Sequence, residues 1–237
     1  TTLNEYAALA AYAYNNERGS RTPTNRLAAP NGWSELDEQS GFPAQTSYDD
    51  NFFSFTAGAF VNASTGEIVI SYKGTDFLLE ATGRAWNTVG DMVTDLAAGI
   101  GGSASTSQFV QAAAYYEDVK KWAVANGYDT SKISFTGHSL GAGIASVMSV
   151  WFNRPATIFA DAPFEPSATS ATILSNVAGM LTSRGISDPD FASFLTEGVL
   201  PASPFFANRE QQVKNYFVQG EFLDLTRFAS TAIYGSS

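Results

Sequence analysis

The sequence predicts an α/β fold, a mostly parallel central sheet with helices on both faces, and three observations predict it. First, a short β run at 132–136 passes through Gly137-His138-Ser139-Leu140-Gly141 into an apolar helix at 142–152 and then into a second β run at 156–160. Strand, helix and strand at this spacing make a parallel pair joined by a right-handed crossover, which puts helices over the sheet. Second, 237 residues at 44% hydrophobic and 15% charged can bury one sizeable core, which rules out a disordered or fibrous chain. Third, no low-complexity tract and no fixed-period repeat interrupts the chain, so residues 1–237 are expected to form a single domain.

The elements follow in order. Thr2 and Glu5 stand in capping-box spacing, and Leu3, Tyr6, Ala7, Ala10 and Tyr14 form one stripe, so a helix is expected to about Asn15. Residues 16–50 are rich in Gly, Pro, Asn and Ser around an isolated Trp33 and read as a long surface connection. The β-rich runs 52–61 and 67–72 flank Asn62-Ala-Ser-Thr-Gly66, which predicts a hairpin. From a cap at Thr106, a helix is expected to the stop at Gly127, with Phe109, Ala112, Ala113, Tyr116, Val119 and Ala123 on its buried face. After the strand-turn-helix-strand unit, residues 163–212 read as an insertion of short helices over the sheet, with Asp188-Pro189 as one helix start. A last strand is expected at 213–218.

Composition narrows the function. Thirteen Lys and Arg against 23 Asp and Glu give a net charge of −10, which repels phosphate backbones and argues against a nucleic-acid partner. No stretch has the length and apolarity of a membrane span, and the first residues lack a signal-type apolar segment. With no cysteine and one histidine, neither a thiolate zinc site nor a multi-imidazole metal site can be built, so no metal or cofactor is expected. Asn62-Ala-Ser64 fits a glycosylation triplet of a kind common by chance, and no calcium-loop pattern is present.

The sharpest motif is Gly137-His138-Ser139-Leu140-Gly141. A bare G-x-S-x-G arises by chance in on the order of one in ten chains of this length, so its setting between a strand and a helix carries the argument. There the glycines allow a sharp turn, Ser139 is lifted above the sheet edge as a candidate nucleophile, and the helix beginning at Leu140 aims its first amides at the place where an oxyanion would form.

Together with SYKGTD, DMVTDL, YAALAAYAY and FADAPF, the GHSLGAG block resembles the class 3 lipases of the α/β-hydrolase superfamily, and within them the lipase-like domains of bacterial calcium-repeat (RTX-type) exoproteins. The resemblance implies a lipase or esterase secreted by a bacterium, with a lipid or other ester as substrate. It also implies that Thr75 supplies an oxyanion donor alongside the Leu140 amide, and that Asp95 orients Thr75 from behind. Residues 76–88 replace the short lid stretch of those lipases, and the apolar residues of the 163–212 insertion either form a lid or are the buried faces of its helices.

In the superfamily the acid follows the nucleophile and the histidine comes last. Asp161 at the end of ATIFAD is one candidate acid, and aligning the last strand puts Glu221 on the family's acid, with Asp224 behind both. Glu221 is preferred. The base is harder to place, because His138 precedes Ser139 on the strand side of the turn and should leave it in another direction. No histidine follows Ser139. The expectation is therefore a domain truncated before its catalytic histidine, which a downstream segment or a second chain supplies. The other readings are a histidine replaced within the chain and a hydrolase-like module that binds lipid or protein without turnover. The same tetrahedral chemistry would also serve a thioester, an amide or an acylated polysaccharide.

Overall fold

A computed structural model describes residues 1–13, 27–42, 55–73, 103–159 and 164–217. Six strands form one sheet in chain order: β1 (Trp33–Glu35), β2 (Ala57–Asn62), β3 (Glu67–Tyr72), β4 (Ile133–His138), β5 (Ala156–Phe159) and β6 (Val213–Tyr216). β1, β2 and β3 pair antiparallel, whereas β3 to β6 are parallel neighbours. β2 is buried at every position and β3 nearly so, as expected of strands covered on both faces.

On one face lie α2 (Ser103–Ala125) and α3 (Leu140–Phe152), which with Ile68, Ile70, Tyr72, Ile133, Phe135 and Ile158 enclose the main core. On the other lies α1 (Leu3–Tyr12), where Leu9 meets Trp33, Phe60 and Val69. The fold is therefore α/β, the class that the strand-turn-helix-strand unit predicts.

The capping box at the start of α1 forms as expected, with Glu5 N donating to Thr2 Oγ1 and Thr2 N to Glu5 Oε2. These bonds, with the indole of Trp33 donating to Glu5 Oε1 at 3.0 Å, hold the Glu5 carboxyl below its usual range. Of the expected stripe, Ala10 is buried and Tyr6 packs on the core, Leu3 and Ala7 are exposed, and Tyr14 lies outside the described residues; Leu9 and Ala13, which the stripe left out, are buried. The helix turns Leu9 inward because Trp33 waits there. That tryptophan is not part of an irregular connection but opens β1, buried and paired with Asn62. A three-residue strand inside a turn-rich stretch has no periodicity to read.

The hairpin forms, with Asn62 opposite Glu67. Asn62 Oδ1 accepts the amides of Ser64 and Thr65, so the asparagine of the glycosylation triplet caps the turn, and Gly66 takes φ 72°. α2 begins at Ser103, one turn before the expected cap at Thr106, and its six predicted inward residues are all buried.

α3 is buried from Gly141 through Phe152, the pattern of a helix covered all round. Its last carbonyls would be orphans without Arg209, whose Nη1 donates to Val150 O and Trp151 O at 2.8 Å each while the guanidinium lies 4.5 Å over the Phe205 ring. Arg209→Ala strands both acceptors and removes that packing. Its expected cost is about 2–3 kcal/mol, to be read from urea unfolding midpoints.

The segment after β5 is helical: α4 (Glu165–Ala168), α5 (Ala171–Ser183), α6 (Pro189–Ser193), a π turn at Phe194–Gly198 and α7 (Pro204–Glu210). Asp188 caps α6, accepting Phe191 N at 2.9 Å, as the Asp-Pro pair predicts. Ile173, Leu174, Leu181, Phe191, Phe194 and Phe206 are buried in the main core, and Met180 and Phe205 pack against it. These side chains are committed to packing; Leu195 is exposed.

Candidate active site

Ser139 joins β4 to α3 with φ 58° and ψ −124°, and among the described non-glycine residues it shares a positive φ only with Asn153. A side chain in that region costs on the order of 1–3 kcal/mol and persists only where its surroundings enforce it. Here the enforcement is visible. Ser139 N donates to Phe159 O of β5 at 3.1 Å, and Ser139 O accepts Ala142 N at 3.0 Å and Gly143 N at 3.3 Å. The turn is so tight that a Cβ on Gly137 would stand 2.4 Å from Gly141 O, so glycine is required at 137 for the helix to fold back against the strand.

The Ser139 hydroxyl does not cap the helix, and among the described residues it has no hydrogen-bond partner. It is half-buried, at the N-terminus of a thirteen-residue helix. Leu140, the first helical residue, has no carbonyl one turn back to bond its N–H, and the positive end of the helix dipole falls there. A hydroxyl that leaves the helix uncapped, beside the first amide of that helix, is an arrangement that can present a nucleophile and receive an oxyanion.

The turn stands at the carboxyl edge of the parallel strands, where open α/β sheets bind ligands. β3 ends there at Tyr72, shortly before Thr75; β5 at Phe159, shortly before Asp161; and β6 at Tyr216, shortly before Glu221. Thr75, Asp95, Asp161, Glu221 and Asp224, with the flap 76–88, lie outside the described residues. The structure thus brings together Gly137, Ser139, Leu140 and Gly141.

His138 closes β4 opposite Phe159. By strand alternation it shares a face with Thr136 and Ser134, whose Oγ lies 2.9 Å from the Tyr6 hydroxyl, so it belongs to the α1 side of the sheet. Gly137, by contrast, abuts α3. Sequence reading misses the Phe159 carbonyl that anchors Ser139 N, because a backbone acceptor on a neighbouring strand carries no residue signature. Among the described residues, no three His, Asp or Glu side chains are grouped to hold a metal ion, and no helix is long and apolar enough to cross a membrane.

The phospholipase-like family described as the Tle-like phospholipase domain matches residues 5–236. The chain belongs to that family. As a Tle-like domain, it is lipase-like in fold and comes from a family of lipid hydrolases. No curated protein matches it. Among solved structures, the extracellular lipase LipA from Serratia marcescens is similar at 22% identity and a TM-score of 0.44, over 67% of the Tle-like domain and 36% of that lipase. The domain therefore spans about a third of the lipase's length.

Proposed function

We propose that the chain is the nucleophile-bearing part of a hydrolase that cleaves carboxylic esters of lipids through an acyl-enzyme on Ser139. The observation that carries the reading is the strained Ser139 between β4 and α3, whose hydroxyl does not cap the buried helix it heads. Ser139 Oγ attacks the acyl carbonyl carbon while its proton passes to an imidazole. The oxyanion is held by the Leu140 amide and by Thr75, which Asp95 orients. Collapse expels the lipid alcohol with the proton from the imidazole, and water then hydrolyses the acyl-serine by the same steps in reverse. Glu221, or in its place Asp161, orients the imidazole.

That imidazole is not His138, which belongs to the other face of the sheet, and the sequence has no other histidine. In this reading it comes from a downstream segment or a second chain. Family membership favours an acyl ester of a phospholipid as the substrate. A cysteine-free chain fits either the cytosol or a bacterial exoprotein, and the resemblance to the calcium-repeat exoproteins favours secretion by a bacterium. The single misplaced histidine also favours a second reading, a lipid-binding module without turnover.

Release of fatty acid from phosphatidylcholine micelles, measured for the polypeptide extended to include its base, separates the two readings. Ser139→Ala is expected to lower kcat by about 10⁶, the loss typical of removing a triad nucleophile. Equal rates for the variant and the parent would exclude Ser139 as the nucleophile, and no release by the parent would favour the binding module.

A further inference from the structure

Away from the elbow that Gly137–Gly141 form around Ser139, α2 meets the start of α6 through two carboxylates and one ammonium. Glu117 is 6% exposed and Asp188 4%, so both acids are withdrawn from water. Lys120 Nζ reaches both, at 3.4 Å from Glu117 Oε1 and in close contact with Asp188 Oδ2. Asp188 Oδ1 accepts Phe191 N, so this carboxylate receives two donors.

The neighbouring charges do not balance the second acid. Asp190 stands 3.8 Å from both Arg154 and Arg209, and Arg209 also serves the end of α3. From α2, Tyr116 lies with its ring 5.6 Å from Lys120 Nζ, and its phenol is kept protonated by burial. Two buried carboxylates thus face one ammonium. A second negative charge there would be uncompensated, and such a site takes up a proton instead.

We infer that Glu117, Lys120 and Asp188 form a proton-dependent latch that fastens the start of α6 to α2. Glu117 is the protonated member and donates to Asp188, while Lys120 bridges the two. The latch matters beyond its own contacts because Phe191 of α6 packs on Trp151 and Phe152 of α3 at 5.7 and 5.6 Å between ring centroids. Loosening α6 therefore loosens the covering of the helix that carries the elbow.

Burial, partly offset by Lys120 and reinforced by Asp188, pushes the Glu117 carboxyl up to about 7. Because this pKa is raised, the native state holds a proton that the unfolded chain has released between the ordinary carboxylate range and pH 7. Stability is therefore greatest at the acid end of that window, falls as pH rises through it, and levels off above it. Amide hydrogen exchange at residues 191–193, followed from pH 5 to 8 with the intrinsic exchange rate divided out, should show the opening constant rising by up to roughly tenfold per pH unit to about pH 7.

Glu117→Gln, a neutral mimic of the acid, is expected to flatten that rise and to be at least as stable as the parent at pH 8. The same pH slope in the variant and the parent, or a variant less stable than the parent at pH 8, would overturn the latch. If the variant does not fold, carbon NMR titration of the parent's glutamate side chains decides: one carboxyl titrating near neutrality supports the latch, and all titrating in the ordinary carboxylate range overturns it.

Discussion

Gly137→Ala is expected to disable the elbow while leaving the strands and helices recognisable by circular dichroism. The added Cβ would sit 2.4 Å from Gly141 O, 2.5 Å from Gly141 C and 2.9 Å from Ala142 N, all backbone atoms that cannot swing aside. Relief requires α3 to move away from β4 near Leu140. Overpacking of this kind costs roughly 1–3 kcal/mol and more where backbone must shift. The functional loss is larger, because about 1 Å of misplacement between a nucleophile and its oxyanion donors costs on the order of 10² in rate. Urea unfolding and the rate of fatty-acid release measure the two losses separately.

The second large effect concerns the base. These 237 residues alone are expected to release fatty acid about 10⁶ more slowly than the polypeptide carrying the missing imidazole. What remains comes from the Leu140 amide and substrate binding, about 10³ to 10⁴ over water. Extending the chain, or adding the partner that bears the histidine, should restore turnover. Replacing that histidine with alanine should remove it again. A bell-shaped or sigmoidal pH profile with an imidazole-like midpoint would appear only in the restored form. Full turnover by the 237 residues alone would mean that the sequence already holds its own base.

The elbow and the sheet were legible for different reasons. Residues 132–160 announce themselves because a period-two run, two glycines and an apolar run of helical length follow one another, and each has a physical cause that survives in the fold. The inward face of α2 was legible in all six named residues, since one long helix against one core fixes a stripe. The stripe of α1 was legible at Tyr6 and Ala10 but not at Leu9, which is drawn inward by Trp33, about two dozen residues away on a strand too short to show alternation. Nor does sequence tell that a π turn at Phe194–Gly198 follows directly on α6, or that Arg209 closes α3, since both depend on what the tertiary structure leaves unpaired. At the site, the nucleophile turn is written in local residues. The candidate acids Asp161 and Glu221 were read from the ends of apolar runs and lie outside the described residues, and no histidine follows Ser139.

The central claim is that Ser139 is an activated nucleophile. The most direct test treats the base-bearing polypeptide with a fluorophosphonate and maps the adduct by peptide mass spectrometry. One phosphonylated residue is expected, Ser139, with the adduct absent from Ser139→Ala. An adduct on another serine, or no adduct although the histidine is present, would contradict it.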